Sequence, residues 1–159
     1  GLSAIMIRPP FALPKELHAE LIQREPFVLI TPLDVAGDDP LKLLVEQPFV
    51  RYDRSSFGGR QVSQFLRKHH LDVRPGLELD ELDAIVKMVA CGLGVALVPE
   101  AGLWLERQPT VRVLRLGGAT FYRELVLVGR HSARQLPVQQ LFRRCVRDVL
   151  AEQGRPAPA

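Results

Sequence analysis

The sequence has none of the short motifs that mark common catalytic sites. No Gly-x-Ser-x-Gly, His-Glu-x-x-His or Cys-x-x-Cys occurs, which leaves no nucleophile elbow, zinc-protease helix or dithiol pair to build on. No apolar run approaches the ~20 residues that a membrane helix needs, so no membrane partner is expected. The opening residues do not read as a charged-then-apolar export signal. Charge of one sign is scarce: 21 Lys and Arg face 18 Asp and Glu, a net +3 spread along the chain. A phosphate-tracking surface needs basic runs, so this segment is not expected to bind nucleic acid directly. Cysteine is limited to Cys91 and Cys145, too few for a disulfide framework and wrongly spaced for a metal site. Cys91 falls in the last turn of an expected helix and Cys145 on the apolar face of another. Both are expected to be buried thiols of a reducing, cytoplasmic compartment. Internal repeats and low-complexity blocks are absent too.

What is present is a chain of 159 residues, 47% hydrophobic and 25% charged. It is long enough to bury a core as one domain or two small lobes. The most informative stretch is 78–100. Asp80 reads as an N-cap with Asp83 three residues on, much as in a capping box. Leu82, Ile85, Val86 and Val89 then form one helical face. Gly92 stands where a left-handed residue ends a helix. Val-Ala-Leu-Val at 95–98 suits a strand buried on both faces, and Pro99 closes that strand and can open the next helix.

Taken in order, 2–7 reads as a buried strand stopped by Pro9 and Pro10, and 11–25 as a proline-punctuated connection with His18 exposed. Residues 27–31 form a β-rich run closed by Pro32. Residues 34–40 read as a solvated loop, because the alternation and terminal glutamate of a Ca²⁺ loop are missing. A short helix is expected at 41–45 and a strand at 48–52. Val62, Phe65 and Leu66 mark a helix ending near His69 and His70, whose adjacent rings point to different faces and make no metal pair. Ala101–Arg107 reads as a short helix with Trp104 as a packing residue. Residues 111–116 and 121–129 read as strands. Pro137 opens a last helix in which Val138, Leu141, Phe142, Cys145, Val146, Val149 and Leu150 form an apolar stripe, with Arg143, Arg144 and Arg147 as its wet edge.

Two places carry functional possibilities. Arg8 ends a strand, either as a solvated arginine or as a guanidinium fork for a carboxylate. At 55–59, Ser-Ser-Phe-Gly-Gly leads from a strand into a helix. Either Ser55 or Ser56 caps that helix, or its free N–H groups and dipole hold an anion; it is no P-loop. Gly92-Leu-Gly94 is not a dinucleotide fingerprint, since helix precedes and strand follows. The carboxylates Glu78, Asp80, Glu81 and Asp83 suit a helix N-terminus rather than catalysis.

Glu-Leu-Asp-x-Leu-Asp-Ala-Ile followed by Met-Val-Ala-x-Gly-Leu-Gly-Val-Ala-Leu-Val-Pro-Glu resembles the second lobe of the effector-sensing domain of LysR-type transcriptional regulators. Residues 1–8 are similar to the last strand of the family's first lobe, with Ser3 where an acidic residue is usual, and 26–32 to its crossover strand. Residues 48–67 and 122–130 also align. The resemblance implies an α/β, periplasmic-binding-protein-like (type 2) fold of two Rossmann-like lobes. The second lobe, 30–118, would be complete and the first, 1–29 with 119–159, partial. It implies a ligand-sensing, oligomerising domain that binds a small acidic metabolite between lobes. The candidate contacts are Arg8, Thr31, Ser55, Ser56, Phe57, Val98, Pro99 and Tyr122. It implies a homodimer or higher homo-oligomer, DNA contact only through an N-terminal winged helix-turn-helix outside this sequence, no cofactor, and no catalysis. With first-lobe strands outside the sequence, effector binding by this stretch alone is expected to be weak. A solute-binding lobe of a transport system and an enzyme on the same scaffold are the alternatives; upstream sequence separates the three.

Overall fold

A computed structural model describes residues 3–74, 76–100, 110–131 and 137–152, with side chains over 140–149 of the last helix. The expected helix with Trp104 and the end of the last helix near Gly154 lie outside the described residues. The chain divides into two compact units, Gly1–Glu25 with Arg123–Ala159 (unit 1) and Pro26–Tyr122 (unit 2).

Strand β1 is Ala4–Ile7, β2 Leu17–Pro32, β3 Arg51–Tyr52, β4 Glu78–Leu79, β5 Ala96–Pro99, β6 Val111–Arg115 and β7 Tyr122–Arg130. Helix α1 is Pro40–Glu46, α2 Phe57–Lys68, α3 Leu82–Ala90 and α4 Pro137–Glu152. In unit 2, β2 lies antiparallel between β5 and β6, Leu29 facing Leu97 on one side and Leu114 on the other. The chain entering β3 joins β5 through a parallel Phe49–Val95 bridge, and β4 runs parallel to β3. Alternate residues of the buried strands go to opposite faces. Phe27, Leu29, Phe49 and Leu97 meet Leu43, Leu44, Val62, Phe65 and Leu66 of α1 and α2. Val28, Ile30, Val50, Ala96 and Val98 meet Ile85 and Val89 of α3. Helices cover both faces, which is why the strands read as unbroken apolar runs.

The helix ends follow local chemistry. Asp39 caps α1 by accepting from the Leu41 and Lys42 amides, and Pro40 needs no partner at the first position. Helix α2 ends in a Schellman arrangement: His70 N–H donates to Arg67 O (3.2 Å) and Leu71 N–H to Leu66 O (2.9 Å). His70 takes the left-handed position with φ +53°, where glycine is usual. His70→Gly is therefore expected to raise stability by about 0.5–1 kcal/mol, strain relief exceeding the entropy of a freer unfolded chain. A thermal melt reads this, and a lower midpoint would give the imidazole a larger role than its backbone strain. Gly92 ends α3 at φ +87°, as its position in the sequence requires.

Several expectations are corrected. The N-cap of α3 is Glu81, without a side-chain bond; pairing with β3 keeps the backbone extended through Leu79, and Asp80 falls one residue early. Strand β2 begins at Leu17 rather than near Phe27, taking in much of the expected connection, and His18 is half-buried. Strand β1 pairs β7, but it is no buried strand, since Ile5 is 46% exposed. Both cysteines are exposed.

The last helix is turned partway from expectation: of the apolar stripe, Val146 stays half-buried beside Ile22 and Leu127, and Arg144 and Arg147 are exposed as expected. Arg143 reaches Glu20 of β2 (Nε to Oε2, 2.9 Å) and Arg147 pairs with the same carboxylate, while Leu141, Phe142, Cys145 and Val149 face outward. A single glutamate flanked by two arginines on one helix side fixes that rotation more directionally than an apolar stripe can.

Candidate functional site

The parallel strands of unit 2 end on one edge of the sheet, and the segments following β3 and β5 leave from it. Such carboxyl ends are where open α/β sheets collect ligands. After β3 the chain turns at 53–56 and enters α2. The turn is built by Asp53. Its carbonyl accepts from Ser56 N–H (3.1 Å) and from the Ser56 hydroxyl (2.7 Å). Its carboxylate accepts from Ser55 N–H (2.9 Å) and from the Ser55 hydroxyl at 2.8 and 2.9 Å. These Ser55 bonds, the backbone one foremost, hold the Asp53 carboxyl below the usual carboxylate range. Ser56 is the N-cap of α2, its Oγ accepting from Gly59 N–H at 3.0 Å. Arg54 N–H donates to Glu78 Oε1 at 3.0 Å, which fastens the turn to β4.

Gly59 is a geometric necessity. A Cβ there would stand 1.7 Å from the Asp53 carbonyl oxygen, a clash between two stretches of backbone with no soft side chain to yield. Gly58 follows the first helical residue, and its amide has no acceptor among the described residues. One N–H at the positive end of a twelve-residue helix is thus unsatisfied by protein groups, while Gly58 itself is buried with the Tyr52 ring close by.

Of the residues singled out from sequence, Ser55, Ser56 and Phe57 occupy this turn. Pro99 ends β5 on the same edge, opposite Phe27. Tyr122 is tied to it, since Gln61 of α2 donates to Tyr122 O at 2.7 Å and Phe27 N–H donates to Phe121 O at 2.8 Å. Val98 sends its side chain into the core beside Val28 and Ile85. Thr31 is fully buried, one residue past the Ile30–Ala96 pair and hence about 13 Å along the sheet from Pro99. It is not brought to this edge. Arg8 belongs to unit 1, where its Nε pairs with Glu124 Oε2 at 3.1 Å.

Sequence reasoning passed over Asp53 and Gln61, and it assigned Glu78 to a helix N-terminus, whereas Glu78 stands in β4, whose pairing with β3 brings it to the Arg54 amide. The Asp-x-Ser spacing of 53–55 was a usable signal for the first, because such an aspartate closes a turn on the amide two residues on. The other two act across 61 and 24 residues of sequence, with no local pattern to mark them. Among the described residues no group of three or more His, Cys, Asp or Glu is placed to hold a metal, and no helix is long and apolar enough to cross a membrane.

The family model for the LysR substrate binding domain matches residues 3–151. The chain belongs to that family. Its fold is the type 2 periplasmic-binding-protein-like α/β fold, and the domain is of the ligand-sensing regulatory kind rather than a transport lobe. A RuBisCO operon transcriptional regulator of Allochromatium vinosum is 30% identical over 146 residues, covering 88% of this chain and 47% of that protein. The LysR-family chain thus spans about half the length of the curated relative it matches. The Synechocystis PCC6803 CcmR regulatory domain in complex with 2-PG superimposes with a TM-score of 0.75 at 21% identity, over 92% of this chain and 72% of that one. The effector binding domain of QuiR in complex with shikimate gives 0.71 at 12%, over 93% and 72%. A reduced form of OxyR from N. meningitidis gives 0.73 at 19%, over 99% and 74%. At these identities the likeness is one of fold.

Proposed function

We propose that this LysR-family domain senses a small hydroxy acid, with the ligand carboxylate at the N-terminus of α2 and a ligand hydroxyl on Asp53. The observation that carries the reading is the Gly58 amide, left without an acceptor beside an ionised Asp53. The amide and the helix dipole favour an anion. Asp53 disfavours a bare one and rewards a ligand that also brings a donor, to which the Ser55 hydroxyl can yield its place. Pro99, Phe57 and Tyr122 supply apolar surface around these polar groups, and Arg8, Thr31 and Val98 remain candidate contacts on the family resemblance alone. In the whole protein, which we read as a cytoplasmic homodimer or higher homo-oligomer, ligand binding shifts the balance of two domain arrangements and so biases DNA-binding heads elsewhere in the sequence. The relative named a transcriptional regulator supports this, as do solved domains holding 2-PG and shikimate. No catalytic step and no cofactor is invoked.

Isothermal titration of the full-length protein tests the site. Hydroxy acids are expected to bind more tightly than their deoxy counterparts, and the corresponding amides about tenfold more weakly. Asp53→Asn is expected to erase the preference for the hydroxyl. Amides binding as tightly as acids would sink the reading.

A further inference from the structure

Toward the opposite end of α2 lies a second group of charges, which meets the turn at 53–59 through Arg54 and Glu78. A groove of about 510 Å³ lies there, lined among others by Arg51, Ser63, Arg67, His70 and Asp72. Arg51 of β3 reaches α2, its Nη2 donating to Ser63 Oγ at 2.8 Å, while its Nε is buried without an acceptor among the described residues. A smaller cavity of about 110 Å³ shares Arg51 and adds Arg54, Arg74 and Glu78. Of these four arginines, Arg54 has a carboxylate partner, Glu78, at 3.5 Å. None of the described ion pairs involves Arg51, Arg67 or Arg74.

A guanidinium N–H taken out of water without an acceptor is costly, and like charges gathered beside it add to the cost. Burial, then the Arg54 charge, with Arg67 adding to it, hold Arg51 below its ordinary range, and Glu78 offsets this only in part. The missing element is negative charge with several acceptor oxygens. A tetrahedral dianion has the oxygens to satisfy one guanidinium fork edge-on and still pair with a second. Asp72, the carboxylate lining the larger groove, is exposed and can turn away.

We propose that the Arg51–Arg67 groove is an anion site separate from the 53–59 turn, taking a phosphate dianion that is either free or the phosphate group of a small metabolite. The site lies wholly within unit 2 and does not depend on what binds at Asp53.

Amide chemical shifts of the isotope-labelled chain, titrated with inorganic phosphate and separately with glycerol 3-phosphate at constant ionic strength, test this. Saturable shifts are expected at Ser63, Arg67, His70 and Asp72 and not at Ser55 or Gly58. Arg67→Ala, at an exposed position, is expected to weaken binding about tenfold without moving the thermal midpoint, and Asp72→Asn to strengthen it. Binding of inorganic phosphate alone identifies the free ion as ligand; binding of the ester, alone or more tightly, identifies a phosphorylated metabolite. No saturation with either titrant, shifts confined to the 53–59 turn, or full affinity in Arg67→Ala and Arg51→Lys alike would overturn the proposal.

Discussion

Arg123→Ala is expected to destabilise the protein by roughly 3–5 kcal/mol, because it takes the guanidinium partner from a buried carboxylate. Glu25 is 2% exposed, and its Oε1 takes both Arg123 Nη2 at 2.9 Å and Arg123 Nε at 3.0 Å. Replacing both partners with neutral groups, as in Glu25→Gln with Arg123→Met, is expected to return much of the loss, since the penalty lies in burying the carboxylate charge without its guanidinium rather than in the pair itself. Urea unfolding of the two single variants and the double variant closes the cycle. Arg8–Glu124, with side chains 43% and 33% exposed, is the built-in contrast and is expected to contribute about 0–1 kcal/mol. An Arg123→Ala midpoint indistinguishable from that of Arg8→Ala would refute the account. Glu25 and Arg123 are also the residues of unit 1 at which the chain passes into and out of unit 2. The pair therefore ties the two connecting segments where they leave unit 1.

Phe27→Ala is expected to cost a similar amount, roughly 3–5 kcal/mol. The ring is fully buried and stacks on Phe121 with centroids 4.3 Å apart, and Phe121 in turn stacks on Phe65 at 4.7 Å. Removing the first ring leaves a cavity beneath the backbone that holds Tyr122, on top of the lost transfer energy. Phe27→Leu keeps most of the volume and is expected to lose about half as much. Against a total stability of about 5–15 kcal/mol, the alanine variant is expected to shift the denaturation midpoint far enough to be partly unfolded under mild conditions. A change below 1 kcal/mol would mean that the stack is not a core of unit 2.

The parts of this fold that were legible in the sequence are those whose periodicity is local. Helix α2 follows from Val62, Phe65 and Leu66, α3 from Leu82, Ile85 and Val89 with Gly92 behind them, and β5 from four apolar residues buried on both faces. The first half of β2 was hidden by Gln23, Arg24 and Glu25. A buried glutamate in a strand makes sense only with its arginine, and Arg123 stands 98 residues away. The same applies to α4, where an apolar stripe promised an inward face until Glu20, more than 120 residues earlier, drew two arginines to itself. Family resemblance reached further than periodicity, because it reads long-range pairings already solved in other chains. The candidate binding residues divide along the same line. Ser55, Ser56 and Phe57 lie in a local strand-to-helix turn and could be named from it. The register that sends Val98 into the core and leaves Thr31 distant from Pro99 is a property of β2 and β5 together.

The close approach of the Asp53 carbonyl to Gly59 bears on how such a sensor changes its preference. With that contact closed to any larger residue, the path of the main chain through the turn is fixed. If the ligand sits where we propose, Arg54, Ser55 and Phe57 can be rewritten one at a time, each new side chain presented from an unmoved backbone, so that a change of metabolite does not put folding at risk.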